Sequence, residues 1–152
     1  MTSPLARLPI LLAFALALAS CDAGRRSETP SASPADAEVA EDPGRTTDAG
    51  LYRVELSPET SPAPLNRIHN WVVRVRTPEG TPVDPKRIAI GGGMPQHGHG
   101  FVTEPRVTSA LGDGAYRIEG VKFHMPGEWT FRVEIVGDSG PDVATFTTTV
   151  GP

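Results

Sequence analysis

The sequence predicts an all-β protein: an immunoglobulin-like antiparallel β-sandwich of about seven strands, preceded by a signal peptide and a disordered tether. From Leu51 onward, apolar and polar residues alternate with a period of two, as they do in strands with one buried face. The chain of 152 residues contains 16 glycines and 16 prolines, which suits short strands joined by many turns. No stretch has the periodicity of a helix.

The N-terminus has the pattern of a secretory leader. One positive charge, Arg7, precedes an apolar run from Leu8 to Leu18. That run is about half the roughly 20 residues that a membrane-spanning helix needs, so it predicts a signal peptide over residues 1–20. It ends in LASC, which resembles the lipobox of bacterial lipoproteins, with Cys21 as the lipidated residue. An ordinary signal peptide and an uncleaved membrane helix are the alternatives.

The leader also predicts the location of the protein. A lipid on Cys21 would hold the chain on a membrane of the cell envelope, facing the periplasm. Asp22 resembles the inner-membrane retention signal of enteric bacteria, which favours that membrane over the outer one. Because Cys21 is the only cysteine, the remaining chain can form no internal disulfide.

Residues 21–49 are predicted to be the lipidated cysteine and a disordered tether, since they contain almost no large apolar side chain. Residues 50–152 are predicted to be the β-sandwich domain. Seven segments of that domain have the character of strands, and they are LYRVELSP (51–58), RIHNWVVRVRTP (67–78), KRIAIGGG (86–93), FVTEPRVTSAL (101–111), GAYRIEGVKFHM (114–125), EWTFRVEIV (128–136) and VATFTTTV (143–150).

Three of these segments carry further detail. In the second, alternation places Trp71 on one face, which it shares with His69, Val73 and Val75. In the fourth, Pro105 favours an edge strand, because proline cannot donate to a neighbouring strand. In the fifth, Tyr116 and Ile118 point inward, and the phase then changes at Gly120 to Val121, Phe123 and Met125. A glycine at a change of phase is typical of a β-bulge.

The stretch GGGMPQHGHGF, residues 91–101, predicts a loop that presents a thioether and two imidazoles. If each connection reverses the strand direction, the histidine-bearing ends of these strands meet at one end of the sandwich. That parity collects all four histidines and two of the three methionines there, and they are His69, Met94, His97, His99, His124 and Met125.

Imidazole and thioether together favour copper, because thioether prefers Cu(I) and imidazole suits both oxidation states. The predicted metal ligands are His69, Met94, His97 and His99, with His124 and Met125 as further candidates. Each has a plainer interpretation. Met125 fits core packing, and His124 fits an exposed position. His69 could be a histidine hydrogen-bonded beneath a loop, and Met94 could plug the end of the sandwich. The loop histidines, His97 and His99, could cap loop carbonyls.

Other functions have less support. No serine lies in a nucleophile elbow and no base–nucleophile pair is evident, so we expect no enzyme and no catalytic residue. The formal net charge of -4 argues against nucleic acid as a partner. Nucleotide-binding glycine motifs are absent from the sequence.

The segments RIHNW, GGGMPQHGHGFVTEPRV and LGDGAYRIEGVKFHMPGEWTF resemble the YtkA-like/FixH-like envelope domain over residues 67–131. The resemblance implies a small non-enzymatic β-sandwich, often anchored to lipid or membrane, with some relatives linked to copper handling and cytochrome oxidase assembly. It matches His69, Met94, His97 and His99 to family positions, whereas His124 departs from the pattern. FixH proper has a membrane-spanning helix where this chain has a lipobox.

The function expected from the sequence is therefore a lipid-anchored envelope module that binds copper through a His/Met-rich loop. The alternative is an envelope module of the same family that binds no metal and serves a structural role or an interaction with another envelope protein.

Overall fold

The computed structural model describes residues 44–151. The predicted signal peptide, Cys21 and most of the predicted tether lie outside the described residues and stay predictions. Within residues 44–151, no helix is long and apolar enough to cross a membrane.

The described residues form two antiparallel sheets, which confirms the predicted β-sandwich. The first sheet has the strand order β1-β2-β3-β7-β6, and the second has the order β5-β4-β8-β9. The strands are β1 (Arg45–Thr46), β2 (Arg53–Pro58), β3 (His69–Arg76), β4 (Arg87–Met94), β5 (His99–Gly100), β6 (Arg106–Gly112), β7 (Ala115–Val121), β8 (Gly127–Gly137) and β9 (Gly140–Val150). A short 3-10 helix, Pro95–His97, links β4 to β5.

The core lies between the sheets and follows the predicted alternation. On β3 and β8 every second residue is buried, and these residues are His69, Trp71, Val73, Val75, Trp129, Phe131, Val133 and Ile135. Each large apolar side chain that is fully enclosed contributes about 1.5–3 kcal/mol. Without a disulfide, this burial is the main source of stability for the domain.

The predicted bulge at Gly120 is confirmed. Between His69↔Val121 and Trp71↔Ile118, two steps on β3 match three steps on β7. Gly120 takes up the extra residue with a φ of 86°. Because of that residue, Ile118 and Val121 can both face the core.

Tyr116 is half-buried, so the prediction that it points fully inward holds only in part. Its hydroxyl donates a hydrogen bond to the Val83 carbonyl oxygen at 3.1 Å and lies 3.0 Å from a carboxylate oxygen of Asp84. The polar end of the ring is therefore held at the rim, and Ala115 takes the buried position beside it. Pro105 precedes β6, which is an edge strand as predicted.

The predicted domain boundary at residue 50 lies inside the fold. Arg45 and Thr46 pair with β2, and Thr47 is buried. The Thr47 hydroxyl accepts a hydrogen bond from the Tyr52 N–H at 3.0 Å. The polar composition of residues 45–49 predicts a tether. In the structure, hydrogen bonds hold these residues against β2 and β9.

Candidate functional site

The histidines and methionines of the domain lie at one end of the sandwich. β3 begins at His69, opposite the last residue of β7, and β4 ends at Met94, beside the start of β8. His124 and Met125 lie in the connection from β7 to β8, so they reach the same end. The predicted strand parity therefore explains how residues from distant parts of the sequence meet.

The histidine loop folds back tightly on its own strand. Met94 is opposite His99 in the β4–β5 pair, with Gly98 in the left-handed conformation at a φ of 69°. The glycines of β4 also allow this strand to pack closely against β8. At Gly92, which has a φ of 136°, an added Cβ would lie 1.9 Å from the Thr130 carbonyl oxygen. Only glycine permits β4 to approach β8 here.

Three imidazoles form a continuous run on the surface of this end, which we call the three-histidine cluster (His97, His99 and His124). The rings of His97 and His99 are stacked with centroids 5.8 Å apart. The rings of His99 and His124 have centroids 5.0 Å apart. His97 and His99 are exposed and His124 is half-buried.

His124 is held in place by an aromatic wall behind it. Its ring makes an edge contact with the buried Trp129 ring at a centroid distance of 5.1 Å. The Trp129 indole N–H donates a hydrogen bond to the Met125 carbonyl oxygen at 3.0 Å, which fixes the connection that carries His124. Phe101 stacks on Trp129 at 5.4 Å and so ties the histidine loop to the same wall.

One ring nitrogen of His124 lacks a partner. Its Nδ1 is buried and makes no hydrogen bond within the described residues. A buried polar atom without a partner costs about 1–3 kcal/mol, so a hydrogen-bond partner or a metal ion at this nitrogen would be stabilising.

Met94 lies behind the cluster. It is 1% exposed, and its Cε is 3.0 Å from the point where a Cβ on Gly127 would be. Directly opposite residues of an antiparallel pair project from the same face, so Met94 and His99 share a face of the sheet. Met125 is half-buried and packs against the core, as its plainer interpretation proposed.

His69 occupies a separate, buried position. Its ring is 9% exposed and contacts the rings of Phe123 and Trp71, at 5.1 and 6.4 Å. Its Nδ1 lies 3.0 Å from the Arg67 carbonyl oxygen, whereas its Nε2 is buried without a partner. Burial lowers the pKa of His69, although the contact with Arg67 acts in the opposite direction. The ring is therefore neutral at neutral pH, and its Nε2 carries a lone pair if Nδ1 donates its hydrogen to Arg67.

The structure thus divides the predicted ligand set. Successive ring contacts of 5.1 Å lead from His69 to Phe123, from Phe123 to Trp129, and from Trp129 to His124. His69 is connected to the three-histidine cluster through these aromatic rings. The rings of His97, His99 and His124 touch in succession, and Met94 pairs with His99.

No group of three or more His, Cys, Asp or Glu side chains in residues 44–151 is already arranged around a metal position. The ring spacing nevertheless suits one ion after side-chain rotation. Two imidazoles with nitrogen–metal bonds of about 2 Å and a near-tetrahedral angle have centroids about 5 Å apart. The spacings of 5.8 and 5.0 Å are close to that value.

The aromatic wall formed by Phe101, Phe123 and Trp129 is not evident from the sequence pattern. Trp129 and Phe123 were expected in the core, and Phe101 was read only as the start of a strand. The signal that could have found the wall is position: Phe101 directly follows the histidine loop, and Phe123 directly precedes His124.

Fold and site together define a small two-sheet β-sandwich domain with a histidine-rich end. The model of the YtkA-like family matches residues 46–134, which is more than half of the chain, so the chain belongs to the YtkA-like family. Comparisons with curated proteins and with solved structures gave no match.

Proposed function

We propose that this protein is a lipid-anchored module of the cell envelope that handles copper and binds one ion at the three-histidine cluster. The observation that carries the proposal is the run of three imidazoles with centroid spacings of 5.8 and 5.0 Å. One member of the run, His99, pairs across the β4–β5 ladder with Met94, whose side chain is buried. An imidazole–thioether donor set favours copper over zinc, which more often takes thiolate or carboxylate ligands.

The environment of the cluster supports a bound ion. The Nδ1 of His124 makes no hydrogen bond with the described residues, so it is available as a metal ligand. The exposed rings of His97 and His99 are free to rotate toward it, whereas the aromatic wall keeps His124 in place. A bound ion would draw the histidine loop onto this wall. Because imidazole and thioether are neutral ligands, the ion would keep its full positive charge and could pass to a site with anionic ligands.

Met94 and His69 have different roles in this proposal. Met94 would supply sulfur from the buried side and so favour Cu(I). His69, although a family-matched candidate, lies behind Phe123 and Trp129 in the chain of ring contacts. We therefore propose that His69 does not bind the ion and instead holds the start of β3 through its contact with the Arg67 carbonyl oxygen.

The anchor and the location rest on the leader sequence. The apolar run and the LASC ending support a lipid on Cys21 and a domain that faces the periplasm. A tether after Cys21 would keep the domain within reach of the membrane surface.

A second candidate function is an interaction module that binds no metal. Two large apolar side chains at the histidine end are exposed, Ile68 at 67% and Val102 at 59%. Ile68 directly precedes His69, and Val102 lies two residues beyond Gly100. Exposed apolar residues beside a conspicuous loop are typical of a protein contact.

A metal titration separates the two functions. The protein should bind one copper ion with a dissociation constant below about 1 µM, and the double variant His97→Ala/His99→Ala should lose this site. Gln96→Ala is the matched control, because Gln96 lies in the same loop and its side-chain amide donates a hydrogen bond to the exposed Glu128 carboxylate at 3.3 Å. Equal binding by wild type and the double variant would exclude the proposed site.

Acidification provides a second readout. Only unprotonated imidazole binds a metal, so copper affinity should fall as the pH is lowered, and Met94→Leu should leave that pH dependence unchanged. The same substitution keeps the core volume and should weaken Cu(I) more than Cu(II).

A further inference from the structure

The strand β9 forms one border of the second sheet, and no further strand of residues 44–151 pairs with its outer side. It pairs with β8 over eleven residues without a register shift. The tight turn at Gly137↔Gly140 sets the alternation, so even-numbered residues of β9 bond to β8 and odd-numbered residues face outward. The outward Val143 carbonyl oxygen accepts a hydrogen bond from the Asp48 N–H at 2.8 Å, in agreement with this pattern.

Part of this outer edge is already occupied. Val143 uses both of its outward groups, because its N–H donates to the Asp142 carboxylate at 2.8 Å and its carbonyl accepts from Asp48. Further along β9, the backbones of Thr145, Thr147 and Thr149 also face outward. These three residues define what we call the β9 edge, and their side chains are exposed on the outer face of the sheet.

The other borders of the two sheets carry features that oppose strand addition. β1 covers the first two residues of β2, whose remaining edge carries Glu55 and ends at Pro58. β5 covers the end of β4. The rest of β4 begins with a charge at Arg87 and ends in two glycines, Gly91 and Gly92. β6 follows Pro105, begins at Arg106, and has two register shifts in its pairing with β7. Charge, proline and bulges are the usual means of protecting a sheet edge.

β9 has none of these features in its second half. Residues 143–150, VATFTTTV, contain no charge, no proline and no glycine, and six of the eight are the β-branched residues valine and threonine. Such a strand is regular and has high β-propensity, which makes it a template for another strand.

We propose that the β9 edge binds the β9 edge of a second copy of this chain, antiparallel and about a twofold axis at Thr147. This pairing places Thr145 of one copy opposite Thr149 of the other, and it joins the two four-stranded sheets into one continuous sheet. Every outward N–H and carbonyl of the three threonines then gains a partner.

The chemistry favours a second copy over a different partner strand. An antiparallel twofold contact sets each residue near its own equivalent, so any charge on the strand would face a like charge. Residues 143–150 carry no charge, and threonine pairs across strands are favourable. The contact uses no side chain of the three-histidine cluster, so it does not depend on metal binding.

Cross-linking tests the geometry directly. In the proposed dimer, the two Thr147 residues are a hydrogen-bonded pair with Cα atoms about 5.5 Å apart, within the range that a disulfide spans. The full-length Thr147→Cys variant should therefore form a cross-linked dimer under mild oxidation. Thr108→Cys, on the edge strand β6, is the matched control and should not cross-link above wild type, which carries Cys21 alone.

Sedimentation of the full-length protein in mild detergent tests the contact itself. Thr147→Lys sets two positive charges opposite each other and should raise the dimer dissociation constant at least about tenfold, whereas Thr108→Lys should leave it unchanged. Circular dichroism of both variants checks that the sandwich is intact. A wild-type protein that is monomeric at about 100 µM, a dimer that persists in Thr147→Lys, or cross-linking of Thr147→Cys to a different protein would overturn the proposal.

Discussion

Replacing Asp142 with asparagine should destabilise the fold far more than its position near a surface turn would suggest. Asp142 is 7% exposed and its carboxylate accepts hydrogen bonds from the backbone N–H groups of Ala49, Leu51 and Val143. It thereby fastens residues 47–51, which enter β2, to the start of β9. Asparagine keeps the shape of the side chain but replaces one acceptor oxygen with a donor NH₂ group.

The magnitude follows from the pKa of the carboxyl. Burial alone would raise the pKa of Asp142, but hydrogen bonds from Thr47 and from the backbone of Ala49, Leu51 and Val143 outweigh it and lower the pKa to about 2. A carboxyl whose pKa falls from 3.8 to about 2 on folding contributes about 2 kcal/mol. Because the pKa of the folded state is the lower one, this stability is present above about pH 4 and is lost as the pH falls toward 2.

Urea unfolding of wild type and Asp142→Asn between pH 7 and pH 2 is the assay. At pH 7 the variant should lose about 2–4 kcal/mol, since it also leaves a buried N–H facing a donor. The difference between the two proteins should shrink as the pH approaches 2. Asp138→Asn is the control, because Asp138 lies in the turn that leads into β9 and is exposed. A variant as stable as wild type at pH 7, or a difference that does not change with pH, would refute the reasoning.

Three further predictions concern the core, the loop and the anchor. Trp71→Ala removes a buried ring that contacts Phe131 at 4.7 Å and should cost about 3–5 kcal/mol in urea unfolding; near-normal stability would contradict the assigned face of β3. Gly92→Ala should lower the melting temperature sharply, because its Cβ would meet the Thr130 carbonyl oxygen, whereas Gly91→Ala, with open space around it, should not. Cys21→Ser should abolish lipidation, and mass spectrometry that finds no diacylglycerol on the wild-type protein would contradict the anchor.

Much of the fold could be predicted from the sequence because strand alternation is a local signal. The inward face of β3 is correct residue by residue, and the bulge was visible as a glycine at a change of phase. The start of the fold was wrong by about five residues. Thr47 is polar, so its composition favours the tether. In the fold it is buried, and its hydroxyl makes two hydrogen bonds with the backbone of Tyr52 that the sequence pattern does not reveal.

The candidate site was predictable only in its location. Strand parity placed all four histidines at one end, since parity depends on the number of strands alone. It could not show which rings touch, because that depends on side-chain direction and on the bulge in β7. The His124 ring contacts the rings of Trp129 and His99. The His69 ring instead contacts the rings of Trp71 and Phe123.

The ligand environment of copper in the loaded protein tests the central claim most directly. X-ray absorption at the copper edge should show imidazole nitrogen from the three-histidine cluster and, for Cu(I), one sulfur that disappears in Met94→Leu. His124→Ala should lower the number of imidazoles, and His69→Ala should leave it unchanged. A copper ion surrounded only by oxygen, or an imidazole count that His69→Ala lowers and His124→Ala does not, would contradict the site as the geometry defines it.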